Sequence, residues 1–111
     1  MSRPGSGLMS FIICDLISKS DQTVAQDAWV EIIESRRADF TAAGAIRQTV
    51  TQIWNKQDVF KLGFMWEYKA EKAFIDCQKL FRQVENEFSK KTGIVWKINA
   101  NSGVILTDMV F

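Results

Sequence analysis

Residues 69–93, KAEKAFIDCQKLFRQVENEFSKKTG, decide the fold because their apolar side chains recur with the period of an α-helix. Successive apolar positions are alternately four and three residues apart: Ala70, Phe74, Cys77, Phe81, Val84 and Phe88, with Ala73 and Leu80 widening the band. Side chains with this spacing lie on one side of a helix. Lys90 and Lys91 place cations near the C-terminus, and Gly93 ends the pattern. The segment therefore predicts one long amphipathic helix.

Two shorter helical patterns precede this segment. Ser20 or Asp21 offers an N-cap to the first, whose apolar side is formed by Val24, Ala25, Ala28, Trp29, Ile32 and Ile33. We expect this helix to reach about Phe40, before a break that ends at Gly44. The second pattern predicts a short helix with one apolar side, made of Ile46, Val50, Ile53 and Trp54.

Strand patterns lie at the two ends of the chain. Residues 8–17 are rich in Ile and Phe and bounded by turn-forming residues, which suits a buried strand, although periodicity alone also allows a helical segment. After Gly93 the period changes to two, with alternating apolar positions at Ile94, Trp96 and Ile98. Residues 100–103, ANSG, are typical of a tight turn, and residues 104–111 resume as a strand, so a C-terminal β-hairpin is predicted.

The order of these elements predicts an α+β domain. Three helices, the third long, pack on a small sheet formed by the N-terminal strand and the C-terminal hairpin. Residues 1–8 are expected to form a flexible lead-in, and residues 9–111 a single globular domain. Residues 59–68 are apolar nearly all round and include Gly63, so the chain there is either buried on all sides or bends at the glycine.

Composition excludes several mechanisms. The chain has 14 basic and 13 acidic side chains, and its net charge of +1 supplies no global field for nucleic acid or anionic lipid. The absence of histidine removes imidazole as a base, a proton shuttle and a metal ligand. Cys14 and Cys77 both have apolar neighbours, which indicates buried free thiols. The longest apolar run is too short for a bilayer span and lacks a signal cleavage site, so a cytoplasmic protein is expected.

Aromatic residues suggest an interaction surface. The chain has four tryptophans, eight phenylalanines and one tyrosine. Residues 59–68 carry more apolar surface than one helix face can bury, and exposed aromatic clusters mark protein interfaces. We therefore predict a non-catalytic, self-associating interaction module with a protein partner and with no cofactor, metal or small-molecule substrate. Its predicted partner-binding residues are Phe60, Phe64, Met65, Trp66 and Tyr68.

Basic residues along the predicted long helix support an alternative function, nucleic-acid binding. Cations on a rigid element can displace the counterions of nucleic acid, while aromatic rings stack on bases. The predicted nucleic-acid-binding residues are Lys61, Lys69, Lys72, Lys79, Arg82 and Lys90. Acidic residues flank these cations, so an ordinary solvated helix face is the simpler interpretation.

One carboxylate cluster is the sequence's only support for an enzyme. Asp27, Glu31 and Glu34 fall on one side of the first predicted helix, where they could hold Mg²⁺ or act as an acid and base pair. Arg36 and Arg37 lie close by, and a solvated helix face is the simpler interpretation.

Overall fold

The computed structural model describes residues 7–111, which form an α+β domain with three helices packed on a four-stranded antiparallel sheet. This confirms the predicted fold class. The elements in chain order are β1 (Leu8–Leu16), α1 (Lys19–Ser35), α2 (Arg37–Ala43), β2 (Ala45–Gln52), β3 (Phe60–Tyr68), α3 (Glu71–Thr92) and β4 (Lys97–Val104). The strand order in the sheet is β2-β3-β1-β4.

Helix α3 is the long helix that the 69–93 segment predicts. Its buried side chains are Ala73, Cys77, Val84 and Phe88, all members of the apolar band. Gly93 ends the helix in the left-handed conformation, with φ of 67°, and its N–H bonds the carbonyl of Ser89. The apolar periodicity of the sequence was sufficient to predict this helix, because one side of the helix packs on the sheet and the other faces solvent.

The first predicted helix is divided in two. Ser18 caps α1 by accepting a hydrogen bond from the backbone N–H of Asp21 at 3.0 Å. Arg36 leaves helical geometry, with φ of −116° and ψ of 15°, and α2 begins at the next residue. The break turns the buried ring of Phe40 toward the sheet, where it lies 5.0 Å from the ring of Trp66.

The prediction of a short helix around Ile46 to Trp54 is wrong, because residues 45–52 form the edge strand β2. A spacing of four residues keeps two side chains on one face of a strand as well as of a helix. The consecutive Thr49, Val50 and Thr51 favour the strand, in which β-branched side chains pack well. The apolar spacing was therefore ambiguous, and pairing with β3 decided it.

Strand β3 occupies the interior of the sheet, between β2 and β1. Leu62 and Tyr68 are 0% exposed, so the segment is buried rather than bent at Gly63. Gly63 lies directly beside Thr51 of β2, and a Cβ atom at this position would stand only 2.6 Å from the threonine Oγ1. Leu62, Phe64, Trp66 and Tyr68 of this strand are buried against the helices, whereas Met65 on the other face is only half-buried.

The predicted C-terminal hairpin is also wrong. Residues 100–103 continue the single strand β4, and residues 105–111 have no regular secondary structure. The expected turn is held straight by β1: Asn101 pairs with Phe11, and Ser102 pairs with Ser10. Small polar residues are typical of turns, but a neighbouring strand and a hydroxyl contact of 2.8 Å between the two serines outweigh that local preference.

Helices cover only one face of the sheet. On this inner face, alternate side chains of β1 and β3 contact the helices, and the rings of Phe64 and Trp66 meet those of Trp29 and Phe81. The opposite face, called the outer face below, presents Phe11, Ile13 and Met65 among polar side chains.

Two further expectations concern the N-terminal part of the chain. Residues 1–6 of the predicted lead-in lie outside the described residues, and Leu8, its last residue, begins β1. Within residues 7–111, no helix combines the length and hydropathy needed to cross a membrane.

Gly44 offers a test of this packing. It adopts φ of 100°, and a Cβ added there would lie 2.6 Å from the Cβ of Ala73 on α3. Gly44→Ala is expected to lower the free energy of unfolding by roughly 2 kcal/mol or more, because it adds a steric clash to an unfavourable backbone conformation. Chemical denaturation measures the change. Gly93→Ala is the matched control, because it also has positive φ but nothing within 4 Å; an equal loss in both variants would contradict the Ala73 contact.

Candidate functional site

A cavity of about 250 Å³ lies between the inner face of the sheet and α3. Strands β1, β3 and β4 form its floor and α3 forms its roof, with Trp29 of α1 and Trp96 closing one side. Its polar or ionisable side chains are Ser10, Cys14, Tyr68, Gln78, Glu85 and Ser102. Most of the remaining lining is apolar and aromatic, which is typical of a site for a small organic molecule.

Small side chains on the floor leave this space open. Ser10 and Cys14 of β1 lie beside Ser102 and Ile98 of β4, and Ala100 stands between the two β4 residues on the same face. The rings of α3 therefore meet a floor with few large side chains over this part of the sheet. The ANSG sequence that resembled a turn supplies two of these small residues.

Aromatic contacts make one side of the cavity rigid. Trp96 stacks on Phe88 with ring centroids 4.2 Å apart, and it lies 5.7 Å from Trp29 and 5.9 Å from Phe64. With its amide oriented to satisfy both indoles, Gln48 accepts hydrogen bonds from the N–H groups of Trp29 and Trp66 at 2.9 and 3.1 Å. These contacts hold in place both tryptophans that line the cavity, Trp29 and Trp96.

Three hydroxyl groups lie together on the strand side of the cavity. The Oγ atoms of Ser10 and Ser102 are 2.8 Å apart, and Ser10 Oγ donates to the Tyr68 hydroxyl oxygen at a longer 3.4 Å. Burial raises the pKa of Tyr68 to about 12, partly opposed by the Ser10 hydrogen bond. Tyr68 therefore remains a neutral hydrogen-bond donor across the physiological pH range.

Helix α3 contributes a carboxyl and an amide to the opposite wall. Glu85 occupies an exposed position on α3, yet partial burial beside the cavity raises its pKa above its ordinary value, which makes it a better proton acceptor than a fully solvated carboxylate. The Nε2 of Gln78 donates to the backbone carbonyl of Phe74 at 3.0 Å, which leaves its side-chain oxygen available as an acceptor. The α3 wall thus offers acceptors, whereas the strand wall offers hydroxyls.

Both cysteines are free and buried, as predicted. Cys14 lines the cavity, but burial, with smaller contributions from Glu85 and Asp15, raises its pKa to about 12. Burial also raises the pKa of Cys77 to about 11. A thiol must ionise to attack a substrate, so neither cysteine is suited to nucleophilic catalysis at neutral pH.

A second groove of about 420 Å³ lies beside the edge strand β2. Its charged residues include Glu34 and Arg37, which are exposed and already bonded to each other, and Arg47, which is paired with Glu67. The first cavity is the better candidate site because it combines aromatic walls with hydroxyls and a carboxyl of raised pKa.

The predicted partner-binding residues are mostly interior. Phe64, Trp66 and Tyr68 are at most 2% exposed and face the helices, while Phe60 and Met65 are half-buried. The prediction of an exposed aromatic surface is therefore wrong for the three largest rings. It assumed a helix, whereas alternate side chains of a strand point to the same face, and here that face is covered by the helices.

The predicted basic residues do not all belong to the long helix. Lys61 lies on β3 and pairs with Asp15 of β1 at 3.4 Å. Lys72 pairs with Asp76 at 2.8 Å. The others occupy exposed positions: Lys69 before α3, and Lys79, Arg82 and Lys90 along it. These positions agree with an ordinary solvated helix face.

The carboxylates of α1 form no metal site. Glu31 pairs with Lys91 at 2.8 Å, and Glu34 binds Arg37 through two hydrogen bonds that lower the pKa of Glu34. Across residues 7–111 no group of three or more Cys, Asp or Glu side chains is arranged to hold a metal ion.

Comparison with solved structures places this architecture in the ferredoxin-like class. A dimeric ferredoxin-like protein from an uncultured marine organism has a TM-score of 0.84 at 20% identity, covering 96% of this chain and 100% of that one. A monooxygenase from Streptomyces coelicolor in complex with Nanaomycin D has a TM-score of 0.69 at 12% identity, covering 97% and 95%. SnoaB, a cofactor-independent oxygenase from Streptomyces nogalater, has a TM-score of 0.65 at 10% identity, covering 92% and 96%.

The chain belongs to a family described as a domain of unknown function, DUF6974, whose model matches residues 5–105. The comparison with curated proteins found no match. The similar structures correct the sequence-based prediction of a non-catalytic interaction module or nucleic-acid binder, because two of them are oxygenases. Sequence reasoning missed the cavity because Ser10, Ser102 and Glu85 are far apart in the chain; the one available signal was the cluster of small residues within apolar strands.

The raised pKa values predict the dependence of stability on pH. Burial raises the pKa values of Cys14 and Tyr68 to about 12 in the folded protein, so both groups stay neutral up to high pH. In the unfolded chain their pKa values are 9.0 and 10.0. Their contribution to stability is complete below pH 9.0 and is lost as pH rises toward 12. Urea denaturation from pH 7 to 11 is expected to show this decline. It should be shallower in Cys14→Ala, and an unchanged slope would contradict a buried thiol.

Proposed function

We propose that this protein is an enzyme of the monooxygenase type that acts on a small, ring-containing organic molecule bound in the cavity beneath α3. The observation that carries the proposal is the cavity itself, an aromatic-walled space that contains a carboxyl of raised pKa and a cluster of hydroxyls. The oxygenases among the structures with the same fold support it.

The cavity residues suit chemistry in which the substrate supplies the electrons for oxygen. In such a reaction a C–H proton passes to a base, and the resulting carbanion transfers electrons to O₂ to form a peroxide at that carbon. Loss of water from the peroxide then leaves a carbonyl group. We assign the base to Glu85, because its pKa is raised and it lines the cavity. The rings of Trp29, Phe81 and Trp96 would hold a flat substrate and exclude water.

Oxidation of anthrone tests the proposed activity. Anthrone has an acidic ring C–H, and its reaction with O₂ gives anthraquinone and water. We expect the protein to accelerate this conversion, measured by anthraquinone absorbance and O₂ consumption against a heat-denatured control. Ala100→Phe should abolish the acceleration by filling the cavity, whereas Ala42→Phe, at an exposed position on α2, should not.

Glu85→Gln tests the assigned base, because the substitution should slow the oxidation of anthrone without preventing its binding. The variant should still bind anthrone but oxidise it roughly 100-fold more slowly, because the amide cannot accept the proton. Equal rates in all variants, or no acceleration by the unaltered protein, would count against the proposed activity.

We also propose that the protein is a homodimer formed through the outer face of the sheet. Phe11 is 44% exposed at the centre of this face, beside Met65 in the strand register, and polar residues such as Asn101 surround them. An apolar centre with a polar rim is the usual composition of a protein interface. The likeness to a protein described as dimeric supports this arrangement.

Light scattering after size-exclusion chromatography tests the dimer. The unaltered protein should have twice the 12.7 kDa mass of one chain, and Phe11→Asp should reduce it toward 12.7 kDa by placing a charge in the interface. Val24→Asp is the matched control, because Val24 is 45% exposed on α1, away from the outer face. A single-chain mass for the unaltered protein, or dissociation only in the control, would refute this interface.

A further inference from the structure

The hydroxyl cluster, defined as Ser10, Tyr68 and Ser102, is the least explained polar feature of the cavity. Three different strands supply its members: β1, β3 and β4. Ser10 is 3% exposed and Tyr68 is 0% exposed, so two of the three hydroxyls are shielded from bulk water by the protein. Buried hydroxyl groups cost free energy unless their hydrogen-bonding capacity is used.

The cluster has one more hydroxyl proton than its internal hydrogen bonds use. Each of the three hydroxyls carries one proton, and the cluster contains two contacts, Ser10 with Ser102 and Ser10 with Tyr68. Two protons therefore satisfy the cluster and a third is left over. Since Ser10 donates to the Tyr68 oxygen, Ser102 can donate to Ser10, and the remaining proton belongs to Tyr68.

The charges of the cavity restrict what this donor can bind. Among the described residues no lysine or arginine lines the cavity, and its ionisable groups are the carboxyl of Glu85 with the hydroxyl of Tyr68 and the thiol of Cys14. A negatively charged ligand would be repelled by the carboxylate of Glu85 and would find no cation in the cavity lining to compensate its charge. The complementary group is an uncharged acceptor oxygen attached to an apolar ring.

We propose that the hydroxyl cluster is the recognition subsite for a carbonyl oxygen, and that the molecules bound in the cavity are ring ketones. The inference rests on the proposed function, which places a ring-containing substrate in this cavity. Tyr68 donates to the carbonyl while Ser10 and Ser102 hold the phenol in place. A carbonyl at this end orients the ring relative to the acceptors of the α3 wall.

A pair of matched probes tests the subsite. 1-Tetralone and tetralin have the same bicyclic framework, and only 1-tetralone carries a carbonyl oxygen. Isothermal titration calorimetry should show 1-tetralone binding about three- to tenfold more tightly, the usual effect of one hydrogen bond. Tyr68→Phe should remove most of this preference by weakening 1-tetralone, with tetralin affinity unchanged.

Two further variants serve as controls for the proposed subsite. The triple variant Ser10→Ala, Tyr68→Phe and Ser102→Ala removes every hydroxyl of the cluster and should bind both probes equally, while circular dichroism confirms that it is folded. Ser89→Ala, at an exposed position on α3, should keep the full preference. If the unaltered protein binds both probes equally, the carbonyl subsite is refuted and ring binding in the cavity stands. If neither probe binds, both the subsite and the proposed function are overturned.

Discussion

The structure depends on the antiparallel ladder between β1 and β3, in which all nine residues of each strand are paired from Leu8 with Tyr68 to Leu16 with Phe60. This pairing places two apolar segments far apart in the chain at the centre of one sheet. Shifting it by one residue would exchange the two faces of a strand. A shifted β3 would turn Trp66 and Tyr68 out of the interior, and a shifted β1 would turn Ser10 away from the cavity floor. The register therefore fixes both the core and the candidate site.

The cavity results from an imbalance in side-chain size across the inner face. The β3 side of the sheet carries large rings that fill the space below the helices, among them Phe64 and Trp66. The β1 and β4 side carries small residues, with Ser10 opposite Ser102. A 22-residue helix such as α3 cannot approach both sides equally. Aromatic rings line the remaining space because the neighbouring core is aromatic. Hydroxyl groups line it as well, because two of the small residues on the floor are serines.

Burial in this cavity also decides which groups can act chemically. It keeps the Cys14 thiol and the Tyr68 phenol neutral, so the thiol is inert and the phenol is a donor. Partial burial also raises the pKa of Glu85, although its position on α3 is exposed, and a raised pKa strengthens a carboxylate as a proton acceptor. One physical cause therefore assigns different roles to three side chains. A chain without histidine therefore still presents a proton acceptor and a neutral hydrogen-bond donor in one cavity.

The sequence by itself determined the α+β class, the long helix α3 and the burial of both cysteines, because each depends on local periodicity or apolar surroundings. Tertiary structure decided the assignment of residues 45–52 and 60–68 to strands, since a spacing of four residues fits either a helix or a strand and a nearly continuous apolar run specifies neither. It also decided the site. Ser10 and Ser102 are 92 residues apart in the chain, and only the pairing of β1 with β4 brings their hydroxyls within 2.8 Å.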